Sequence, residues 1–412
     1  MVNRQIVNKV KIIKPIILTL DGMIQKEKIP IVNSESVKLA FLILEIHPNS
    51  GQTYNIAEII KYLHSVHPDW DVSIITHKIH YPLVEGINDI RVKIIKVDQY
   101  YSSMLFKKKL ANNLKDFDIL YVKGISPYVF PAKKTGLPII LTVHQMDSIK
   151  LFKSVKRKLK IMATNLLTGY IMKKADVVVT VSDELGSFYE KQFSRRIKVI
   201  PDQISNIFFA SAWRKDLDRS QEIKLLTVGN WDGPKGRKRH DILLNYFANA
   251  IKSLPKLRIS MVGLSDDNIK ELGLLCRDLQ LNDYVTLKGY LKEEDLIKEY
   301  LNCHIYTTAT TYEGFYRQLV EGFATGMPGL VYDSRKIIKE ISNCASVNHV
   351  LKSKAGILYF DSQSFITAIN TIVNNYHEYS IKALNYAKLF SNEIIGRETE
   401  ELLVSMTFHQ NV

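Results

Sequence analysis

Short apolar runs alternate with longer amphipathic stretches from residue 38 onward. The runs "KLAFLILEI" (38–46), "DVSIITH" (71–77), "VKIIKV" (92–97), "DILYVKG" (118–124), "PIILTVH" (138–144), "DVVVTVS" (176–182) and "IKVIPD" (197–202) are near-continuous in apolar character rather than alternating. That is the pattern of parallel strands covered on both faces, joined by crossover helices. A polar, charged stretch, "SNIFFASAWRKDLDRSQE" (205–222), breaks the rhythm and reads as an inter-domain linker. The rhythm restarts in "IKLLTVGN" (223–230), "RISMVG" (258–263), "YVTLKG" (284–289), "CHIYTT" (303–308), "GLVYD" (329–333) and "GILYF" (356–360). From residue 364 to about 406 apolar residues fall at helical spacing, as in "LNYAKLF", with no strand candidate.

The expected fold is therefore α/β, with two Rossmann-like domains facing a cleft. The first spans 38–204 and the second 223–380; a helical segment, 381–412, is expected to cross back to the first domain. Residues 1–37 are an unassigned N-terminal extension, with one further strand expected within 10–20. Ligands of open parallel sheets lie beyond the carboxyl ends of the strands, so the chemistry is expected in the cleft.

Composition narrows the classes. A chain of 412 residues, 46% hydrophobic and 24% charged, exceeds one ordinary core and is too apolar for extended disorder. Cys276, Cys303 and Cys344 stand far apart, without C-x-x-C spacing or a histidine cluster, which argues against a disulfide framework or zinc site and fits a reducing cytoplasm. The N-terminal apolar run is shorter than a signal peptide needs, and no stretch approaches the roughly 18 apolar residues of a membrane span. Charge is unevenly placed: residues 1–220 hold 34 Lys+Arg against 20 Asp+Glu, whereas residues 221–412 hold 22 of each. Such asymmetry points to one half meeting an anionic surface.

The stretch "TTYEGFYRQLVEGFATGMP" (310–328) joins the strand "CHIYTT" to the strand "GLVYD". A crossover helix is expected from about Tyr316 to Thr325, with Gly326 its stop and Pro328 beyond. Glu313 then falls in the strand-to-helix loop and Glu321 about a turn and a half into the helix. Free N–H groups at that helix start, beside flexible Gly314, suit anionic oxygens such as a diphosphate. A carboxylate accepts two hydroxyl donors at once, so Glu321 suits a vicinal diol. On residue type alone, a helix-capping Glu313 and a solvated Glu321 are the ordinary reading, since charge at a helix N-terminus is common; the resemblance of the stretch to a known family reverses it.

The order Glu-Gly-Phe, a second Glu in Glu-x7-Glu spacing, then Gly-x-Pro resembles the signature of retaining glycosyltransferases of family 4, which adopt the two-domain GT-B fold. The likeness extends to "LPIILTVHQMD" (137–147), "KKADVVVTVSDELGSFYEKQF" (173–193), "IKVIPDQISNIFF" (197–209), "LLTVGNWDGPKGRKRHDILLNYFANA" (225–250) and "VTLKGYLKEEDLIKEYLNCHIYTTATTYEGF" (285–315), and covers about 38–400.

The resemblance implies that Glu321 binds the nucleotide ribose and Glu313 the donor-sugar hydroxyls, with N–H groups near Gly314, Phe315 and Tyr316 around the diphosphate. His144 would stand across the cleft near the reacting sugar, and backbone near Gly289 and Tyr290 would recognise the base. Family members carry an Arg and a Lys on the first C-terminal loop to neutralise the leaving diphosphate. Here Asn230 stands at the Arg position, Lys235 and Lys238 both fit the lysine role, and Arg237 is a candidate for the missing arginine. The family's paired glycines after the first strand appear as Ser50 and Gly51, followed by Gln52, on the acceptor side. Tyr316 occupies a small-residue position and is expected to crowd or stack on the donor.

The implied reaction is metal-independent, hexosyltransferase-type transfer with retention. The acceptor attacks from the face the diphosphate leaves, and the diphosphate serves as base. The donor would be a nucleotide sugar, UDP- or GDP-linked, and the acceptor a lipid-linked or glycan hydroxyl. No cofactor is expected. "DWD" (69–71) has a metal-binding form but precedes the second strand, at the edge away from ligands, and reads as a turn. Other classes are a nucleotide-sugar epimerase of the same architecture, an inactive scaffold, and a nucleic-acid binder. The last is disfavoured because aromatic residues do not interleave with the basic runs.

In the basic half, "SIKLFKSVKRKLKIM" (148–162) places Leu151, Phe152, Val155, Leu159 and Met162 at helical spacing among lysines, and "FKKKL" (106–110) adds a second cluster. A basic amphipathic helix suits the surface of an anionic membrane; a core helix with a solvated basic face fits the same pattern. The expected location is the cytoplasm, peripheral on the inner face of the cell membrane.

Overall fold

The computed structural model describes residues 36–408 apart from 48–49, 81–92, 97–109, 127, 145–154, 211–216, 218–220, 235 and 337–343. The expected strand within 10–20, the cluster 106–109 and residues 148–154 of the basic stretch lie outside the described residues. Seven strands build the first sheet: β1 (Lys38–Ile43), β2 (Asp71–Thr76), β3 (Lys93–Lys96), β4 (Ile119–Lys123), β5 (Ile139–Val143), β6 (Val177–Thr180) and β7 (Lys198–Val199). Six build the second: β8 (Ile223–Val228), β9 (Leu257–Val262), β10 (Val285–Leu287), β11 (Ile305–Thr308), β12 (Gly329–Tyr332) and β13 (Gly356–Tyr359).

The strand orders have one form. The first sheet runs β3-β2-β1-β4-β5-β6-β7 and the second β10-β9-β8-β11-β12-β13, with the assigned pairings parallel, as in Leu39↔Ile119 and Ile223↔Leu257. Each sheet winds from its centre to one edge and then to the other, leaving a switch point between β1 and β4 and between β8 and β11. The sequence dictates this burial: every residue of β4, β5, β11 and β12 is buried, and isoleucine, leucine and valine dominate β4 and β5. The last strand of the first sheet is shorter than the run "IKVIPD" predicts, because Pro201 carries no ladder donor.

The helices that matter to the cleft are α1 (Gly51–Val66), α2 (Val155–Met172), α3 (Asp183–Phe193), α4 (His240–Ala250), α5 (Glu293–Asn302), α6 (Arg317–Ala324), α7 (Ala345–Ser353), α8 (Tyr376–Ala387) and α9 (Asn392–Phe408). Helix α9 packs on α1: Ile395 and Leu403 share a core with Leu39, Ile56 and Ile60. Polar contacts fix the same seam. Tyr62 Oη donates to Glu400 Oε2 at 2.9 Å, and Asn392 Nδ2 donates to Glu58 Oε2 at 2.7 Å.

Helix α2 behaves differently. Leu159, Met162, Leu166, Leu167 and Tyr170 are all exposed, Leu166 at 75%, and they recur at the spacing of one helix face. No helix among the described residues is long and apolar enough to cross a membrane. The three cysteines are buried and unbridged.

Candidate active site

Helix α6 follows β11 at the switch point of the second sheet. Tyr316 caps its start in the left-handed region, at φ 60°. The helix is almost wholly buried, from Arg317 through Glu321 to Ala324, so its two charged side chains require partners. Gly326, at φ 81°, ends the turn that follows and Pro328 stands beyond it. The helix begins one residue later than expected.

Glu313, in the loop before α6, meets the basic loop after β8. Lys238 Nζ lies 2.8 Å from Glu313 Oε1, and Arg237 Nη1 lies 3.7 Å from Oε2. Lys238 also stands 4.5 Å over the Tyr316 ring. Burial pulls the Lys238 ammonium down, but the Glu313 carboxylate and the ring outweigh it and the net shift is upward. Asp232 organises this loop by accepting from Arg237 N at 2.7 Å and Lys238 N at 3.0 Å. Gly229, at φ 136°, opens the way: a Cβ there would lie 3.4 Å from Lys238 Cε. Lys235 lies outside the described residues.

Glu321 sits one turn further along α6. Its Oε2 accepts from Tyr300 Oη at 2.9 Å, and its Oε1 lies 2.7 Å from Arg317 Nε. Beside it opens a cavity of about 280 Å³, walled by Gly51 and Tyr54 from α1, Asn230, Arg237 and Lys238 from the basic loop, and Arg317 and Glu321 from α6. Tyr290 and Glu293 close another side. The cavity lies at the start of α6 and the start of α1, where both sheets place the carboxyl ends of their central strands.

His144 follows β5 on the first sheet. Its Nδ1 lies 3.7 Å from Asp202 Oδ1, and buried Lys123, the last residue of β4, completes a charged group. Burial, reinforced by Lys123, lowers the His144 pKa and favours neutral imidazole, with Asp202 opposing. Burial, opposed by Asp202, brings the Lys123 ammonium down to about 8. Burial pushes the Asp202 carboxyl up, but His144, Lys123 and Arg317 outweigh it and hold it below its ordinary range. The two walls touch here: a Cβ on Gly314 would fall 2.0 Å from the His144 carbonyl oxygen, so only glycine permits this approach.

The structure thus brings Gly51, Asn230, Arg237, Lys238, Tyr290 and Glu321 to one cavity, with Glu313 joined to it through Lys238. Several expected residues sit elsewhere. Tyr316 neither crowds nor stacks over the cavity; it is buried, its hydroxyl donating to Thr308 Oγ1 at 2.8 Å, because the left-handed cap turns the side chain inward beneath Lys238. The Phe315 side chain packs between His349 and Phe390 in the core. Asn230 reaches the cavity, but its Oδ1 accepts from Ser265 N at 3.0 Å and Asn268 Nδ2 at 2.6 Å, which makes it a brace between loops. The Gly289 carbonyl is engaged by Gly263 N at 3.1 Å. Ser50 precedes α1 without a side-chain capping bond, and Gln52 lies near Gly124. Asp71 opens β2, at the edge of the sheet opposite the cavity.

Sequence reasoning missed Arg317, Tyr300, Asp232, Lys123 and Asp202. Two left a signal: a lysine closing an apolar strand, and an aspartate just before Gly-Pro, a turn-forming combination. Tyr300 left none, since a tyrosine on an amphipathic helix reads as packing.

The residues flanking this cavity match two family descriptions in succession: glycosyltransferase family 4 over residues 50–204 and glycosyl transferases group 1 over residues 210–388. Among characterised relatives, the peptide N-acetylglucosaminyltransferase GtfA subunit of Streptococcus pneumoniae is 26% identical over 168 residues, 39% of this chain and 31% of that protein. The corresponding subunit of Streptococcus parasanguinis is 32% identical over 167 residues, 39% of this chain and 31% of its own length. The chain thus matches about a third of these relatives' length. Among solved structures, Anabaena HepE in complex with UDP and glucose aligns with a TM-score of 0.66 at 17% identity, covering 90% of this chain and 100% of that one. Pneumococcal GtfA in complex with UDP and GlcNAc aligns with a TM-score of 0.65 at 14% identity, covering 90% and 99%. With both halves matched in order and both sheets wound alike, the chain belongs to the family 4-like glycosyltransferases of the GT-B fold.

Proposed function

We propose that this protein transfers a sugar from a nucleotide-sugar donor to an acceptor hydroxyl with retention of anomeric configuration. The observation that carries the reading is the pair of acidic groups beside one cavity at the start of α6: Glu313 held by Lys238 at 2.8 Å, and Glu321 on the cavity wall. Lys238 and Arg237 neutralise the diphosphate as it leaves; positive charge already fixed where negative charge develops lowers the barrier. Glu321 accepts the ribose hydroxyls and Glu313 those of the sugar. His144, kept neutral by burial and with Nε2 unpartnered among the described residues, reaches a sugar hydroxyl once the contact between Gly314 and the His144 carbonyl opens. The acceptor enters from the α1 side, past Gly51, and attacks from the face that the diphosphate leaves. No metal is invoked, because the cations of the chain supply the charge.

The similarity to proteins solved with UDP, and to UDP-N-acetylglucosamine transferases, makes UDP-N-acetylglucosamine the first donor to test. The acceptor is a glycan, glycolipid or polysaccharide precursor. The exposed stripe of α2, Leu159 to Tyr170, supports peripheral attachment to an anionic membrane face on the cytoplasmic side, since basic residues precede and follow it. The test is a nucleotide-release assay with UDP-, GDP- and ADP-sugars, with product anomers read by NMR. Release of one nucleotide with retained configuration is expected. An inverted product removes retention, and acceptor-free conversion of the donor to its epimer overturns transfer.

A further inference from the structure

Arg317 is the first residue of α6 and stands on the cavity wall with its side chain about nine-tenths buried. Its Nε lies 2.7 Å from Glu321 Oε1, yet neither Nε nor Nη1 makes a hydrogen bond of acceptable angle to any described residue. The guanidinium lies 5.3 Å over the Tyr54 ring, on α1 across the cleft. Burial opposes its charge, but Glu321, Glu58, Asp202 and Glu293 outweigh that, so it stays cationic. A buried guanidinium with unfilled donors is costly unless an acceptor arrives, and the open space beside it is the cavity.

The chemistry of that acceptor follows from position. Arg317 opens a helix whose N-terminal N–H groups favour anionic oxygens. Its planar fork suits the two oxygens of a phosphate better than a lone hydroxyl. Arg317 and Glu321 are four residues apart on one helix face, so movement of one frees the other. Asn230, also on the wall, has its carbonyl oxygen committed to Ser265 and Asn268 and carries no positive charge. Resting on the reading of this cavity as a nucleotide-sugar site, we propose that Arg317 binds a phosphate oxygen of the nucleoside diphosphate and, in doing so, releases Glu321 to the ligand's hydroxyl pair.

The experiment compares UDP with uridine, which lacks the phosphates, by ligand-observed NMR titration of wild type, Arg317→Gln and Arg317→Lys. Arg317→Gln is expected to weaken UDP binding about 10- to 100-fold, the range of one charge-assisted contact, while uridine changes by less than about threefold. Arg317→Lys, which keeps charge but not the fork, is expected to weaken UDP by about three- to tenfold with uridine unchanged. Should the Gln variant fail to fold, the Lys variant carries the comparison. Equal losses for UDP and uridine mark Arg317 as only a positioner of Glu321 and overturn the inference, as does unchanged UDP affinity. A wild type that binds none of UDP, GDP and ADP overturns the nucleotide-site reading, and this inference with it; one that prefers GDP or ADP carries the same comparison with that diphosphate and its nucleoside. A wild type that binds UDP, with both variants keeping its preference over uridine, overturns this inference alone.

Discussion

On the wall built by the second sheet, the two acidic groups beside the cavity have hydrogen-bonding partners at close range: Lys238 lies 2.8 Å from Glu313 and Tyr300 2.9 Å from Glu321. On the first sheet's wall, His144 and Asp202 stand 3.7 Å apart, and His144 Nε2 and Asp202 Oδ1 find no hydrogen-bond partner among the described residues. The Lys238–Glu313 pair of the second wall is in place before a ligand arrives, as electrostatic stabilisation of a leaving group demands, whereas Arg317 on the same wall keeps unfilled donors. The first wall holds its charges together more loosely, with burial, Lys123 and Asp202 pulling the His144 pKa in different directions.

The contrast is broken most severely on the second wall. Replacing Lys238 with Met leaves the partly buried Glu313 beside Arg237 alone and removes the cation opposite the leaving group. It is expected to lower kcat/KM about 10²- to 10³-fold in a nucleotide-release assay, as loss of one preorganised donor does elsewhere. A loss below tenfold shifts that role away from Lys238.

Joining the walls is the next lever. Gly314→Ala places a methyl carbon 2.0 Å from the His144 carbonyl and must push the walls apart. Misplacement on that scale is expected to cost about 10²-fold in kcat and about 1–3 kcal/mol in stability, read by steady-state kinetics and denaturant titration. Wild-type kinetics in this variant show that the closure seen here is not the reacting arrangement.

The first wall responds more gently. Asp202 opposes the burial and the Lys123 charge that lower the His144 pKa. Asp202→Asn removes that support, so His144 is expected to fall further and the acid limb of the kcat/KM profile to move to lower pH, with a rate loss of about tenfold. Movement to higher pH contradicts the assignment.

The smallest effect is on stability. Burial holds His240 and His349 down at about 4, against an ordinary value of 6.5. Their unfolded forms bind protons that the folded forms refuse, so these histidines stabilise the fold fully above about pH 6.5 and progressively less toward pH 4. Denaturant midpoints measured across that window are expected to fall with pH, and less steeply in His349→Gln.

Both sheets were legible in the sequence because parallel strands covered on two faces need unbroken apolar runs, as at Ile119–Lys123 and Ile139–Val143. The crossover placed Glu313 and Glu321 about the helix start, but only the resemblance of the Glu-Gly-Phe and Glu-x7-Glu pattern to family 4 marked them as site residues. What sequence did not reveal depends on long-range pairing or on backbone sign. Tyr300 reaches Glu321 from 21 residues away and Tyr54 meets Arg317 across the cleft; neither contact has a local signature. The inward turn of Tyr316 follows from a left-handed φ that a bulky residue rarely adopts. The exposure of α2 also escaped the pattern, since an amphipathic spacing does not say which way its apolar face is turned.

The central claim is that the cavity between α1 and α6 grips a nucleoside diphosphate through Lys238 and Glu321. Calorimetric titration of wild type and Glu321→Ala with UDP tests it most directly. The account predicts one UDP per chain for wild type and affinity lowered by about tenfold or more in the variant, the size of a lost charge-assisted hydrogen bond. Absence of binding of UDP, GDP and ADP alike by wild type, or equal affinity of both proteins for the diphosphate bound, contradicts it.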